Sequence, residues 1–135
     1  MNLVTITSTI HAPINKVWGY WTGAEHIKKW NFASSDWHCP KAENHLIVGG
    51  EFHYIMSAKD NSMSFDFWGT YQTIESEKLI EILLGDGRKM SVLFEETENG
   101  TLITEKFEPE TENTVALQQM GWQMILDNFK SYTEI

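Results

Sequence analysis

The apolar positions along this chain change their period twice. Over residues 3–10, LVTITSTI, Val4, Ile6 and Ile10 fall in a two-residue phase among β-branched neighbours, which predicts a strand with one buried face. After Ala12-Pro13 the spacing lengthens. Ile14, Val17, Trp18 and Trp21 recur at i, i+3, i+4 and i+7, the stripe of an amphipathic helix. Proline suits the first turn of such a helix, where its missing N–H is not needed. Thr22-Gly23 ends it, and Ala24–Trp30 predicts a second, short helix.

From residue 34 to 107 the two-residue period returns. Residues 36–42, interrupted by Pro40, are expected to form an edge strand, because proline withholds a ladder donor. In EFHYIMSA, Phe52, Tyr54 and Met56 share a face; over 63–74, Met63, Phe65, Phe67, Gly69 and Tyr71 alternate. Strands over 78–84 and 89–96 flank Gly85-Asp86-Gly87, a hairpin signal. A second signal, Asn99-Gly100, leads into a strand over 101–108, since Asn-Gly tolerates the positive φ of tight turns. A helix then spans about 112–132, on the order of 30 Å long. Glu110 and Glu112 lie near its start and Lys130 near its end, matching the helix dipole. Its apolar face carries Trp122, Ile125, Leu126, Phe129 and Tyr132, and Gly121 beside that face predicts close approach of helix backbone to sheet.

Strand, two short helices, a run of hairpin-linked strands and one long helix together predict an α+β fold. A sheet of about six to seven antiparallel strands must twist and curl. The long C-terminal helix then spans its concave face. With 135 residues and no linker or repeat, a single domain over 1–135 is expected.

Composition adds one unusual feature: aromatics make up 13% of the chain, with six Trp, seven Phe and four Tyr. Such side chains dominate core and ligand-contact energetics. The net charge of −9, with ten scattered Lys and Arg, argues against nucleic acid and against an anionic membrane surface as partners. A single cysteine, Cys39, excludes an internal disulfide. No secretory signal and no apolar run near the ~18 residues of a membrane span is visible, so a cytoplasmic location is expected.

In order, the segments IHAPINKVWGYWT, HIKKW, IVGGEFHYIM, FDFWGTYQTIESEKLI, the NGT turn and GWQMILDNFKSY resemble the START-like (SRPBCC) superfamily, and within it the activator-of-Hsp90-ATPase homologue 1-like (AHSA1-like) family. The resemblance covers nearly the whole chain. It implies the helix-grip fold, with a cavity between curved sheet and C-terminal helix. Superfamily members bind lipids, sterols and other apolar molecules, and some cyclise polyketides. A eukaryotic relative stimulates the Hsp90 chaperone, but joins such a domain to another N-terminal one.

Strand parity then selects the residues that would contact a ligand. Phe52, Tyr54 and Met56 share one inward face and Phe65, Phe67 and Tyr71 another, with Met120 and Met124 of the helix expected to look in beside Trp122. Each has the plainer reading of packed core. Trp30 and Trp37 bracket the loop NFASSD, which is expected to cap one end, unless both only anchor that loop. Tyr54 and Tyr71 are the expected polar groups inside, each seeking a hydrogen-bond partner. His38, Cys39, His45 and His53 lack metal-ligand spacing, so no metal and no cofactor is expected. By parity His53, Glu51 and Asp66 point outward. No nucleophile motif accompanies Cys39 or the serines, and no catalytic residue is singled out.

Three functions follow. The first is binding of a small hydrophobic or aromatic molecule in the cavity. The second is a cyclase- or hydrolase-type enzyme using the same pocket. The third is a protein-interaction, chaperone-regulating module that meets a protein partner.

Overall fold

The computed structural model describes residues 3–135; Met1 and Asn2, part of the single-domain range 1–135, lie outside the described residues. The elements run β1 (Val4–Ile10), α1 (Ile14–Thr22), α2 (Ala24–Trp30), β2 (Trp37–Asn44), β3 (Glu51–Ala58), β4 (Ser64–Glu75), β5 (Leu79–Leu84), β6 (Lys89–Thr97), β7 (Gly100–Phe107) and α3 (Val115–Thr133). The seven strands form one curled antiparallel sheet in the order β1-β7-β6-β5-β4-β3-β2. β1 and β2 are thus the two edges. α1 and α2 carry the chain from one edge to the other, and five consecutive hairpin pairings bring it back beside β1.

Local chemistry explains these boundaries. Val4, Ile6 and Ile10 are all buried, as the two-residue phase of β1 requires. Pro40 sits in edge strand β2, where pairing with β3 shifts register between His38 and Lys41. Gly100 adopts a φ of +131° in the turn after Asn99, a conformation that favours glycine. The long helix begins at Val115 rather than near residue 112. Thr114 caps it, its hydroxyl accepting from Leu117 N at 3.1 Å. Glu110 and Glu112 therefore precede the first turn; Glu110 instead organises the loop, its carboxylate accepting from the backbone of Glu112 and Asn113.

α3 runs along β1 and against α1 and α2. Gln123 Nε2 donates to the Thr7 carbonyl at 3.2 Å and Lys130 Nζ to the Thr9 carbonyl at 2.5 Å, so the helix satisfies polar backbone of an edge strand. Leu126 and Phe129 are fully buried, and Trp122 stacks on Phe107 with ring centroids 3.8 Å apart. Gly121 departs from expectation. A Cβ built there meets nothing within 4 Å, so no close approach to the sheet demands a glycine.

The core nearest the helices is aromatic. Trp21, Trp30, Phe94 and Phe129 meet with ring centroids 4.9 to 5.9 Å apart, several of them edge-on. Trp21 and Trp30 of this cluster also border the space between the sheet and the helices.

Candidate functional site

Between the concave face of the sheet and the helices lies a cavity of about 260 Å³. Its sheet wall comes from inward positions of β3 to β7. Phe52, Tyr54 and Met56 of β3 and Phe65, Phe67 and Tyr71 of β4 line it, as strand parity predicts, and Ile80, Ile82, Met90 and Val92 extend the wall across β5 and β6. The roof is made by Trp21, Trp30, Asn31, Trp122 and Ile125. Phe65, about half exposed at 49%, stands where the cavity opens to solvent.

Three expected positions lie elsewhere. Trp37 does not line the cavity; it is half-buried and meets Phe65 edge-on at 5.9 Å, bracing the outer side of the opening. Met120 and Met124 do not look inward either. They are 58% and 40% exposed and belong to the solvent side of α3. The reason is helical phase: Trp122, Ile125, Leu126 and Phe129 occupy the arc toward the sheet, and Met120 and Met124 fall on the opposite arc.

The polar groups of the cavity are few. Tyr71 donates its phenolic proton to Asn44 Oδ1 at 2.5 Å, and Asn44 Nδ2 donates to the Thr22 carbonyl at 2.7 Å. This chain ties β4 and β2 to the end of α1. Burial pushes the Tyr71 phenol up to about 12, and burial followed by the neighbouring Tyr71 holds the Tyr54 phenol well above its ordinary range. Both remain neutral hydrogen-bonding groups at physiological pH. Asn31, itself buried, donates Nδ2 to Met56 Sδ at 3.2 Å, and Asn128 Nδ2 donates to the Trp30 carbonyl at 2.9 Å.

Several lining residues lie beyond the expected set, among them Trp21, Asn31, Ile80, Ile82, Arg88, Met90, Val92 and Ile125, and one of them, Glu105, is an acid. Glu105, on the inner face of β7, is 5% exposed and reaches the cavity. Burial alone pushes its carboxyl up to about 8, so it is largely protonated at neutral pH. The signal was present in the strand: Thr101, Ile103, Glu105 and Phe107 share one parity, and all four are buried. A charged residue in phase with isoleucine and phenylalanine reads at first sight as an interruption rather than an inward group.

The outer face carries separate chemistry. His53 lies between Asp66 and Glu51, at 2.8 and 2.9 Å, and stacks on Trp68. The two carboxylates raise its pKa. All three residues project away from the cavity, as parity predicts. Among the described residues, no group of three or more His, Cys, Asp or Glu is placed to hold a metal ion. Cys39 is free and buried, and burial pushes its thiol up, which keeps it un-ionised and a poor nucleophile.

A family model described as "Activator of Hsp90 ATPase homolog 1-like protein" matches residues 11–134. Among solved structures, the AHSA1-like protein from Aeromonas hydrophila is 43% identical, covering 98% of this chain and 92% of its own, with a TM-score of 0.93. A protein from Cytophaga hutchinsonii is 51% identical over 99% of this chain and 93% of its own, with a TM-score of 0.86. A protein from Nitrosomonas europaea is only 20% identical yet superposes with a TM-score of 0.82 over 96% of this chain and 92% of its own, a likeness of fold alone. No curated protein matches the chain. By sequence, by sheet order and by the long helix laid across the curl, the chain belongs to the activator of Hsp90 ATPase homolog 1-like family, within the helix-grip fold.

Proposed function

We propose that this protein binds a small hydrophobic or aromatic molecule in the cavity between the curled sheet and α3. The observation that carries the reading is an opening of about 260 Å³ whose walls are aromatic and aliphatic, with few polar groups. Cavities of roughly 150 Å³ with apolar walls already accept benzene, so one or two fused rings fit here. Removing ~250 Å² of apolar ligand surface from water yields roughly 6 kcal/mol before ordering costs, which supports micromolar binding. Native mass spectrometry of purified protein tests this directly. A co-purifying small molecule displaced by denaturation supports it; failure of every fluorescent apolar probe to bind the empty protein overturns it.

A second reading, an acid-catalysed reaction in the same cavity, is favoured by Glu105 alone. A carboxylic acid kept neutral by an apolar site is able to protonate a bound carbonyl compound. Recovery of the bound molecule chemically unchanged after long incubation counts against turnover. No helix among the described residues is long and apolar enough to cross a membrane.

A further inference from the structure

Glu105 sits between Val92 of β6 and Ile6 of β1, with its side chain toward the cavity. Among the described residues no group hydrogen-bonds its carboxyl oxygens, and burial is the sole influence on its titration. The other charged or titratable groups facing the cavity are Arg88, Tyr54 and Tyr71. Arg88 is engaged elsewhere, its Nε donating to Asp86 at 2.7 Å and its Nη1 to the Glu108 carbonyl at 3.1 Å. Tyr71 is committed to Asn44, and Tyr54 interacts with Tyr71. The helices above contribute Trp21, Trp30, Trp122 and Ile125, none of them titratable. A polar group nine-tenths buried and aimed into an apolar space without a protein partner is unusual, because buried polar groups are nearly always paired.

We propose that Glu105 anchors the ligand, and that the ligand is a small aromatic molecule bearing a carbonyl-type oxygen, which accepts the carboxyl O–H. This inference rests on the cavity being a ligand site. With its pKa near 8, the acid is a hydrogen-bond donor at neutral pH. A ketone, aldehyde or quinone oxygen satisfies that donor while its rings occupy the aromatic wall. An ammonium ligand would instead need the ionised carboxylate, which this site disfavours.

Calorimetric titration with 2-acetylnaphthalene, 2-ethylnaphthalene and 2-(aminomethyl)naphthalene separates these cases. The acetyl and ethyl compounds have nearly the same shape and differ in the oxygen. Glu105→Leu is expected to weaken the acetyl compound roughly tenfold, the scale of one buried hydrogen bond, and to leave the ethyl compound within about twofold. In the wild type, raising the pH from 7 to 9 weakens only the acetyl compound, since about a tenth of the acid stays protonated one unit above its pKa. Glu105→Gln, whose amide still donates, binds the acetyl compound equally at both pH values. If Glu105→Leu does not fold, the pH comparison between wild type and Glu105→Gln decides. Equal loss of acetyl and ethyl binding in Glu105→Leu, or amine binding that strengthens at pH 9 and exceeds the acetyl compound, overturns the anchor while leaving the cavity reading intact. Failure of all three compounds to bind wild type overturns both.

Discussion

Glu105 carries a stability consequence independent of any ligand. Its carboxyl is raised in the fold to about 8, whereas an ordinary glutamate titrates near 4.5. Between those values the folded protein holds a proton that the unfolded chain releases, so this group's contribution is fullest below about 4.5 and is lost as pH rises toward 8. Glu105→Gln is expected to gain stability over wild type by a few kcal/mol near pH 9 and little near pH 5, measured by urea denaturation across that range. His53 works in the same direction, its raised pKa contributing stability below 6.5 that fades above it, but its exposure makes the effect small. The residual slope of the glutamine variant therefore includes His53. The Tyr71–Asn44 bond gives a second prediction at this scale. Tyr71→Phe removes the partner of the half-buried Asn44 oxygen and is expected to cost about 0.5–1.5 kcal/mol in the same assay.

Among the elements, α3 is the one whose local sequence and tertiary role diverge. Gly121 lies within a helix of 19 residues without a packing reason, so Gly121→Ala is expected to stabilise by about 0.5–1 kcal/mol, raising the melting temperature by a few degrees. Thr114→Ala removes the side-chain cap at its N-terminus and is expected to cost ~1 kcal/mol. Periodicity identified this helix and its buried arc from Trp122 to Phe129 correctly. It did not place the start, because the Glu110 loop mimics a helical first turn: its carboxylate and Gln118 close a hydrogen-bonded bend ahead of the cap. Met120 and Met124 are misplaced by apolar character, although their helical phase already sets them on the arc opposite Trp122, Leu126 and Phe129. Both methionines remain exposed beside Leu117, which is 54% exposed.

For the whole molecule, the curl of the sheet decides whether a cavity exists. α3 packs toward β1 and α2 toward β2, and the space between is roofed by Trp30, Trp122 and Ile125 rather than filled. Ile125→Trp, a half-buried roof position, is expected to occupy that space. It should reduce uptake of an apolar fluorescent probe at least about tenfold while the protein stays folded, since overpacking typically costs only 1–3 kcal/mol. Unaltered uptake would mean the probe sits outside the cavity.

The sequence alone determined the element types, their order, the Pro40-marked edge β2 and the inward parity of β3 and β4, because strand and helix periods are local consequences of which side chains must leave water. Ordered motifs identified the family. Only the tertiary structure decided that Gly121 faces open space, that Trp37 braces the rim from outside, and that Glu105 stands unpaired within the cavity. Those facts depend on which surfaces meet across the sheet. A period of two or of 3.6 fixes the direction of a side chain relative to its own element and is silent about the partner it finds there.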